Sequence, residues 1–310
     1  MDVAVVSHAT IDHIVRGEVE DDGKGEGAGE GEVITVGGPV CYAGLMASRY
    51  AHNTIIVTRV GTDFAGHADM LRRRYGMHIP SEAFCGLPTT RFRLVMSMEG
   101  GRQRRTLYLI ARCADITQEV LDVEYDACIV SPVMGEVGID AIRTIVRHSG
   151  FTLLDPQGLL RIVGEDGRVS LVRSKDMDGL RVDAMKVDAD EAYALTGRYG
   201  LGSLNGLSRY SDIVILSMDN RVFMYSSGKD AVYELTTDML RSRDSTGAGD
   251  IFVGAYVSAY ISSRDPVWAL CHGTAAAYIA LGSGMLGLDK VPHSREVEEY
   301  ARMLLERVKH

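Results

Sequence analysis

Cysteine is scarce in this sequence, and its spacing links no cysteine to another. The five residues, Cys41, Cys85, Cys113, Cys128 and Cys271, form an odd set, without a C-x-x-C pair or a Cys and His spacing that suits zinc. We expect them to be buried or free thiols in the reducing cytoplasm. The sequence therefore gives no indication of a disulfide framework or a structural zinc site.

Long hydrophobic runs and an excess of positive charge are also missing. Residues 1–6 lack the basic leader of a signal peptide, and their apolar run is too short to span a membrane. The 33 lysines and arginines are outnumbered by 42 aspartates and glutamates, which gives a formal net charge of −9. That charge repels nucleic acid phosphates and anionic lipids. We therefore expect a cytoplasmic protein whose partner is a small molecule, with no nucleic acid and no membrane involved.

The sequence does contain enough apolar material for one large core, since 46% of its 310 residues are hydrophobic. Short β-branched runs alternate with segments of helical period, which is typical of a mostly parallel sheet with helices on both faces. The predicted strands are residues 3–7, 54–60, 127–131, 152–155, 184–187 and 213–217. The predicted helices are residues 40–51, 65–75, 139–148, 189–195 and 204–210, followed by an all-helical end at 248–263, 266–281 and 295–308.

Residues 12–36 and 89–110 interrupt this alternation and have strand character with alternating polar residues. Within the second region, two strand-like runs flank Glu99-Gly100-Gly101 and predict a hairpin. The two regions could form a flap over a binding site or extend the edge of the main sheet. We predict a main α/β domain of residues 1–11, 37–88 and 111–310, and a small β lid of residues 12–36 and 89–110.

Residues 17–32 are rich in glycine and glutamate and cannot bury a core. We expect a mobile loop there, and deletion of residues 21–31 should leave the fold intact. No glycine pattern of a phosphate-binding loop fits this tract, and its carboxylates would repel phosphate.

Small residues precede an apolar helical run at Arg243-Asp244-Ser245-Thr246-Gly247-Ala248-Gly249-Asp250-Ile251-Phe252. The backbone N–H groups of Gly247, Ala248 and Gly249 could hold an anion, because the first amides of a helix lack intrahelical partners and lie at the positive end of its dipole. Asp250 falls in the first turn, where we expect the dipole to keep it ionised near neutrality and able to accept a proton from a hydroxyl group. In the alternative, Thr246 or Asp244 caps the helix and Asp250 is only a carboxylate that the dipole favours.

This string resembles the C-terminal motif of the ribokinase-like (PfkB) sugar kinases, D-[TS]-[TX]-G-A-G-D-x-F-x-x-G, from Asp244 through Phe252 and Gly254. The resemblance implies a three-layer α/β/α fold with a mostly parallel sheet and a small β lid. It also implies ATP-dependent phosphoryl transfer to a sugar or polyol hydroxyl group. Asp250 would be the catalytic base, the stretch from Gly247 to Gly249 the anion hole, and Thr246 part of the ATP site.

Other segments extend the resemblance over nearly the whole chain. Gly37-Gly38 looks like the family's N-terminal glycine pair, where a polyol approaches the backbone, although the pair could be only a strand-to-helix turn. The segment 60–66 is similar to the family's V-G-x-D-x-x-G turn, for which we expect a structural role with Asp63 as a helix cap.

The donor side is implied less directly. Asp188 and Glu191 resemble the family's N-x-x-E helix start, with Asp in place of Asn, and would hold Mg²⁺ through water unless they only cap the helix. The resemblance places the ATP base between the loop after residues 213–217 and helices near 272–284, which points to Ser217 and Asp219. The family's glycines in that loop are replaced here by residues 218–221.

Asp12 corresponds to the family's early aspartate that accepts hydrogen bonds from sugar hydroxyl groups, or it simply forms a turn. Tyr42 stands where ribose and nucleoside kinases usually carry Asn. The segment 155–161, with Gln157, is similar to the inositol kinases of the family. We therefore expect a cyclic polyol such as myo-inositol as the acceptor, with another sugar, a nucleoside, or a catalytically silent binding protein as alternatives.

Arginines alternate with apolar residues on the predicted lid. The arginines could meet phosphate or form a solvated face, and they are Arg91, Arg93, Arg102, Arg104 and Arg105. Phe92, Leu94 and Met96 could pack against the lid of a second subunit, which would make a homodimer. A nicotinamide-dependent dehydrogenase would share the alternation, but Ser7-His8-Ala9-Thr10 is no dinucleotide fingerprint.

Overall fold

The computed structural model describes residues 1–16, 32–51, 53–99, 102–117, 124–173, 177–240, 242 and 244–310. The predicted mobile loop lies outside these ranges apart from Glu32. Gly100 and Gly101 of the predicted hairpin turn, Arg243 of the glycine motif, and the side chains of Arg102 and Arg104 are outside them as well.

Strands and helices alternate along much of the chain. The described strands are β1 (Asp2–Val6), β2 (Thr10–Arg16), β3 (Glu32–Gly37), β4 (Asn53–Val57), β5 (Val60–Gly61), β6 (Phe84–Cys85), β7 (Thr90–Glu99), β8 (Arg102–Ala111), β9 (Ala127–Val130), β10 (Thr152–Leu154), β11 (Arg161–Val163), β12 (Val169–Leu171), β13 (Val182–Asp188), β14 (Ser211–Met218), β15 (Arg221–Ser226) and β16 (Ala231–Thr236). The described helices are α1 (Pro39–Ser48), α2 (Ala65–Tyr75), α3 (Ile139–His148), α4 (Ala189–Thr196), α5 (Leu204–Leu207), α6 (Ala248–Ser263), α7 (Pro266–Gly282) and α8 (Ser294–Leu305).

The main sheet has, within the described residues, eight strands in the order β16-β15-β14-β13-β10-β9-β1-β4. The strands from β14 to β4 are parallel, and β15 and β16 continue the sheet in antiparallel fashion. All six predicted strands lie in the parallel part. The hairpin of β15 and β16 was not predicted, because its runs mix polar and apolar residues.

Helices cover both faces of this sheet, and strand β1 shows how the sequence directs the packing. Val3 and Val5 face the core beneath α1, α6 and α7, whereas Ala4 and Val6 face the core beneath α3, α4 and α5. Successive side chains of a strand point to opposite faces, so a strand buried on both sides is apolar throughout. The predicted three-layer α/β/α fold is confirmed. All five cysteines are free thiols, as expected, and four of them are buried.

One predicted helix is shorter than expected. Residues 204–210 were predicted as helical, but α5 ends at Leu207 and the chain turns so that Tyr210 N–H donates to the Leu207 carbonyl at 2.9 Å. Gly206 is a poor helix former. The helical end of the chain is confirmed by α6, α7 and α8. Among the described residues, none of the helices has both the length and the apolar character to cross a membrane.

The lid is a separate four-stranded sheet in the order β3-β2-β7-β8. Strands β2 and β7 are parallel, and the other two pairings are antiparallel. Strands β7 and β8 form the predicted hairpin. The two regions that interrupt the alternation therefore form a sheet of their own and do not extend the edge of the main sheet.

The inner face of the lid packs on its own chain. Phe92 and Leu94 are each 4% exposed, and Phe92 contacts Val133 and Met134 of the main domain. The expectation that Phe92 and Leu94 pack against a second subunit is therefore wrong, because the residues below them already cover these side chains.

Asp63 anchors the base of strand β7. One of its oxygens accepts a hydrogen bond from Thr89 N–H at 3.1 Å, and the other is 2.6 Å from the Arg91 guanidinium group. Asp63 thus has a structural role, as expected, but it does not cap its own helix. Arg91 is held by this ion pair at the hinge of the lid.

Candidate active site

A cleft of about 340 Å³ opens between the lid and the carboxyl ends of the main strands. In open α/β sheets, ligands bind at this edge. The predicted site residues that line the cleft are Asp12, Gly38, Tyr42, Gln157, Asp188, Glu191, Thr246, Gly247, Gly249 and Asp250. The fold therefore collects residues from the lid, from the start of α1, from the 3₁₀ turn after β10, from the end of β13 with the start of α4, and from the start of α6 around one space.

Helix α6 begins without a side-chain cap. Its N-cap residue is Gly247, with φ 76° and ψ 3°. The Asp244 carboxylate accepts a hydrogen bond from Thr246 N–H at 2.9 Å, two residues before the helix. The alternative in which Asp244 or Thr246 caps the helix is therefore wrong, so no side chain occupies the first amides of α6.

The amides at this helix start differ in availability. Ala248 N–H donates to the Ser245 carbonyl at 3.3 Å. The N–H groups of Gly247, Gly249 and Asp250 make no hydrogen bond to the described residues. Of the three predicted amides, Ala248 is thus the least available, and the amide of Asp250 adds to the set.

Glycine is required here by close approach. A Cβ atom on Gly247 would lie 2.4 Å from the Tyr42 ring, and the φ of Gly247 is one that other residues rarely adopt. A Cβ atom on Gly249 would lie 3.0 Å from Lys186 Nζ. The absence of side chains thus lets an aromatic ring and an ammonium group approach the helix start.

Asp250 lines the cleft next to these amides. Burial, with the Asp155 carboxylate next, raises its pKa to about 7, while Lys186 and Arg161 oppose the shift. Asp250 is therefore only partly ionised at neutrality, because desolvation disfavours its charged form. A pKa near 7 suits a general base.

Lys186 and Asp155 form a buried ion pair in the cleft. Lys186 Nζ lies 3.2 Å from Asp155 Oδ2, and the two side chains are 10% and 3% exposed. Burial alone lowers the pKa of Lys186, but the carboxylates of Asp155, Glu191 and Asp188 outweigh it, so that the pKa is raised. Lys186 is therefore a permanent positive charge beside Gly249.

Asp188 and Glu191 close a capping box at the start of α4. Asp188 Oδ1 accepts from Glu191 N–H, and Glu191 Oε2 accepts from Asp188 N–H, each at 2.8 Å. The N-cap alternative is thus confirmed for Asp188, while both side chains also line the cleft. Burial, with Asp155 next, raises the pKa of Glu191 to about 8, and Lys186 opposes this shift.

Asp12 faces the cleft from lid strand β2 and is 7% exposed. Burial raises its pKa to about 6, and Arg105 and Arg161 partly oppose this. Gly37 lies behind Asp12, since a Cβ atom there would be 2.2 Å from Asp12 Oδ2. Gly38, with φ 82°, passes so close to the His8 carbonyl that its Cβ atom would be 2.5 Å away. The absence of a side chain therefore leaves room for the Asp12 carboxylate at Gly37 and for the His8 backbone carbonyl at Gly38.

Tyr42 and Gln157 complete the predicted acceptor side. The Tyr42 side chain is fully buried, and its hydroxyl group finds no hydrogen-bond partner in the described part of the chain. Gln157 is held by Arg161, whose guanidinium group donates to Gln157 Oε1 at 2.7 Å.

Ser217 and Asp219 do not join the cleft that contains Asp250. Ser217 pairs with Asp188 across β13 and β14, and its hydroxyl group donates to the Val187 carbonyl at 3.3 Å. Asp219 occupies the tight turn between β14 and β15 with φ 50°. Their assignment to an ATP site remains a prediction.

Asp155, Lys186 and Arg161 also line the cleft, although the sequence analysis did not assign roles to them. Arg105 lines the cleft too and is one of the lid arginines that could meet phosphate. Two of the unassigned residues carried a signal: Asp155 ends a predicted strand, and Lys186 is an isolated charge within an apolar strand. Ionisable groups at such positions are costly to bury without a partner.

Solved structures define the class of fold. A pyrophosphate-dependent kinase of the ribokinase family, complexed with a pyrophosphate analogue and myo-inositol, gives a TM-score of 0.77 at 21% identity, over 96% of this chain and 99% of that one. Ribokinase from Thermotoga maritima gives a TM-score of 0.69 at 20% identity, over 97% and 99%. Ribokinase from Arabidopsis thaliana, complexed with ribose and ATP, gives 0.69 at 14% identity, over 97% and 98%. The chain thus has the ribokinase-like fold.

The family follows from the sequence comparison. No curated protein matches the chain, but the model of the pfkB family of carbohydrate kinases matches residues 119–292, more than half of it. This chain belongs to the pfkB family of carbohydrate kinases.

Proposed function

We propose that this kinase transfers the γ-phosphoryl group of ATP to a hydroxyl group of a cyclic polyol, with myo-inositol as the preferred acceptor. The observation that carries the proposal is the position of Asp250. Its carboxyl group lines the cleft beside free backbone amides and Lys186, and Asp12 lines the same cleft. A base, an anion site and a hydroxyl-binding carboxylate therefore share one space of about 340 Å³.

The residues divide the chemistry between them. Asp12 accepts hydrogen bonds from hydroxyl groups of the acceptor, and Gly38 lets the acceptor approach the backbone. The reacting hydroxyl group gives its proton to the Asp250 carboxylate as its oxygen bonds to phosphorus and the bond from phosphorus to the donor oxygen breaks. The amides of Gly247, Gly249 and Asp250, with the Lys186 ammonium group, stabilise the negative charge of the transferring group.

The donor side of the cleft offers Mg²⁺ few protein ligands. Asp188 and Glu191 each use one carboxylate oxygen in the capping box and keep the other. Among the residues that the structure describes, no cluster of three or more His, Cys, Asp or Glu side chains suits a metal ion. Mg²⁺ would therefore take most of its ligands from donor phosphates and water, as it commonly does. When bound, the ion would neutralise phosphate charge.

The acceptor assignment rests on the polar character of the cleft and on two structural neighbours. Asp12, Gln157 and Arg161 offer acceptors and donors suited to several hydroxyl groups. One neighbour was solved with myo-inositol, and another, with a TM-score of 0.76 at 22% identity, is a pyrophosphate-dependent myo-inositol-1 kinase converted by two substitutions into a myo-inositol-3 kinase. Tyr42, in the place where ribose and nucleoside kinases of the family carry Asn, favours a polyol over those acceptors.

Pyrophosphate is a second candidate donor. Met218 pairs with Arg221 directly across a two-residue turn, where the resemblance places the nucleotide. Asn220 ties this turn to Thr237, whose carbonyl accepts its side-chain N–H at 2.7 Å. A short closed turn offers little contact surface to the nucleoside of ATP. Pyrophosphate carries no nucleoside and would need only the anion site. The neighbours named as pyrophosphate-dependent agree with this alternative.

One assay separates these possibilities. Purified protein is incubated with Mg²⁺, either ATP or pyrophosphate, and a panel of cyclic polyols, pentoses and nucleosides, and phosphorylated product is measured by mass spectrometry. We expect product from myo-inositol with ATP. Product with pyrophosphate alone would move the donor assignment to pyrophosphate, and product only from a pentose or nucleoside would overturn the acceptor.

Asp250→Asn tests the base. We expect its turnover to fall by about 10²- to 10⁴-fold because the amide cannot accept the proton, while donor binding, measured by calorimetry, persists. Asp190→Asn is the control, since Asp190 is exposed on the neighbouring helix α4 and should keep full activity. Full activity of Asp250→Asn would refute the base assignment.

The cytoplasmic location and the homodimer through the lid remain predictions that the sequence alone supports.

A further inference from the structure

A fully buried ammonium group lies beneath the anion site. Lys290 ends the short 3₁₀ helix Gly287–Lys290, and its side chain is 0% exposed. Its Nζ atom lies 2.8 Å from Asp244 Oδ2 and 3.0 Å from the Asp244 carbonyl oxygen. A buried ion pair often stabilises a fold no better than apolar residues of similar volume. Its place in the molecule therefore needs a reason besides packing.

Asp244 connects this ammonium group to the start of α6. Its Oδ1 atom accepts from Thr246 N–H at 2.9 Å, and its Oδ2 atom accepts from Gly287 N–H at 3.1 Å as well as from Lys290. Removing Lys290 would leave the carboxylate, whose side chain is 9% exposed, with two of its three hydrogen-bond donors and no opposite charge. The residues held by this carboxylate lead directly into Gly247.

The other side of the same loop rests on Tyr42. Its ring lies where a Cβ atom of Gly247 would be, and Lys290 Nζ lies 5.4 Å from the centre of that ring, within the range of a cation–π contact. One cation therefore contacts both supports of the loop that presents the free amides. Lys290 itself is not among the residues lining the cleft.

We propose that Lys290 is a positioning residue for phosphoryl transfer: its ammonium group fixes Asp244 and Tyr42, and so holds the amides of Gly247, Gly249 and Asp250 toward the transferring phosphoryl group. This inference rests on the proposed function. The positive charge of Lys290 is buried away from water and also adds to the electrostatic potential that attracts the phosphates.

Lys290→Met tests this role because it keeps an unbranched apolar side chain, one atom shorter, and removes the charge. Residues that orient a site through another group typically change activity by about 10- to 100-fold. We expect kcat to fall by that factor, with KM for the acceptor changed less than about twofold, since Asp12 and Gly38 are untouched. Lys229→Met, at an exposed lysine, is the control and should match the wild type. A folded Lys290→Met protein with wild-type kcat overturns the proposal.

Chemical rescue distinguishes positioning from folding. Lys290→Ala removes the equivalent of propylammonium, so added propylammonium should restore part of the activity, whereas 1-propanol, a neutral molecule of similar size, should not. Rescue by both molecules equally, or by neither in a folded variant, would show that the charge is not what matters.

A binding measurement keeps this inference separate from the proposed function. Pyrophosphate should raise the melting temperature of the wild type and of Lys229→Met, and should raise that of Lys290→Met less. If the wild type phosphorylates no acceptor but this difference is present, the role of Lys290 stands and the proposed function fails. Equal shifts in all three proteins, or no shift in the wild type, overturn the role of Lys290, whereas product formation alone decides the proposed function.

Discussion

At the scale of single residues, the site depends on carboxyl groups whose pKa values burial has raised. The pKa of Asp250 is raised to about 7 and that of Asp12 to about 6. In both cases the charged form loses hydration inside the cleft, which is the largest cause of the shift. Asp250 also lies among Asp155, Lys186, Arg161 and Asp12, whose charges partly cancel.

The rate of phosphoryl transfer should therefore depend on pH near neutrality. Asp250 accepts a proton only when it is ionised, so kcat/KM for the acceptor should rise with pH and level off above about 7. Initial rates between pH ~5 and ~9, at saturating donor, measure this profile. A flat profile, or a midpoint near the ordinary carboxyl value of 3.8, would contradict it.

The free energy of unfolding should also depend on the ionisation of Asp250, and the raised pKa fixes the direction of that dependence. Between 3.8, the ordinary pKa, and about 7, the folded state binds more protons at Asp250 than the unfolded state does. The free energy of unfolding contributed by this group therefore falls as pH rises through that window. Asp250→Asn, which cannot ionise, should melt above the wild type at pH ~8, and the difference should shrink as pH falls.

At the scale of elements, helix α6, which carries the proposed base, packs directly against α1, the helix that follows the glycine pair. A Cβ atom on Gly254 of α6 would lie 2.7 Å from the Ala43 carbonyl oxygen and 2.9 Å from Met46 Cβ. The two helices therefore touch through backbone. This contact sets the distance between the acceptor side and the anion site, because each helix begins at one of them.

Two glycine-to-alanine substitutions should act with opposite signs. Gly254→Ala should lower the free energy of unfolding by about 1–3 kcal/mol, because the close contact leaves no room for a methyl group. Gly66→Ala, near the start of α2 with nothing within 4 Å of the added Cβ, should raise it by up to about 1 kcal/mol through helix propensity. Urea denaturation measures the change in the free energy of unfolding for each variant. Equal changes in the two variants would mean that the contact between α1 and α6 adjusts easily to an added methyl group.

At the scale of the whole molecule, the lid and the main domain meet across the cleft. Asp12 belongs to lid strand β2, and Asp250 belongs to the main domain, so a bound acceptor would bridge the two. The main strands β1, β9 and β10 are buried on both faces, whereas the lid keeps exposed residues such as Ile34 on β3. Local opening is easier where fewer apolar contacts must be broken.

Hydrogen exchange should reveal this division. We expect amides of β2, β3, β7 and β8 to exchange faster than those of β1, β9 and β10, and to slow when myo-inositol and donor are added. Mass spectrometry of peptides from both sheets measures the difference, and peptides from α8, remote from the cleft, provide the internal control. Uniform exchange that ligand does not change would argue against a lid that closes on the acceptor.

Part of this protein was accessible to sequence analysis because the relevant signals are local. Apolar runs such as that of β1 indicate a strand buried on both faces, and the change of pattern at residues 89–110 marks the hairpin. The string from Asp244 to Phe252 places small residues, a carboxylate and a helix next to one another, so the base and the anion site lie within a few residues. The hairpin of β15 and β16 had a weaker pattern and was missed, and helix α5 was predicted three residues too long.

The amino-acid sequence by itself determined the layered α/β fold, the lid strands and the pairing of Asp250 with a helix start, because each depends on neighbours along the chain. The tertiary structure decided which charges meet: Lys186 with Asp155, 31 residues apart, and Lys290 with Asp244, 46 residues apart. It also decided the pKa of Asp250, since desolvation comes from groups packed around it in space. Such contacts arise only when distant segments fold together, and no local pattern encodes them.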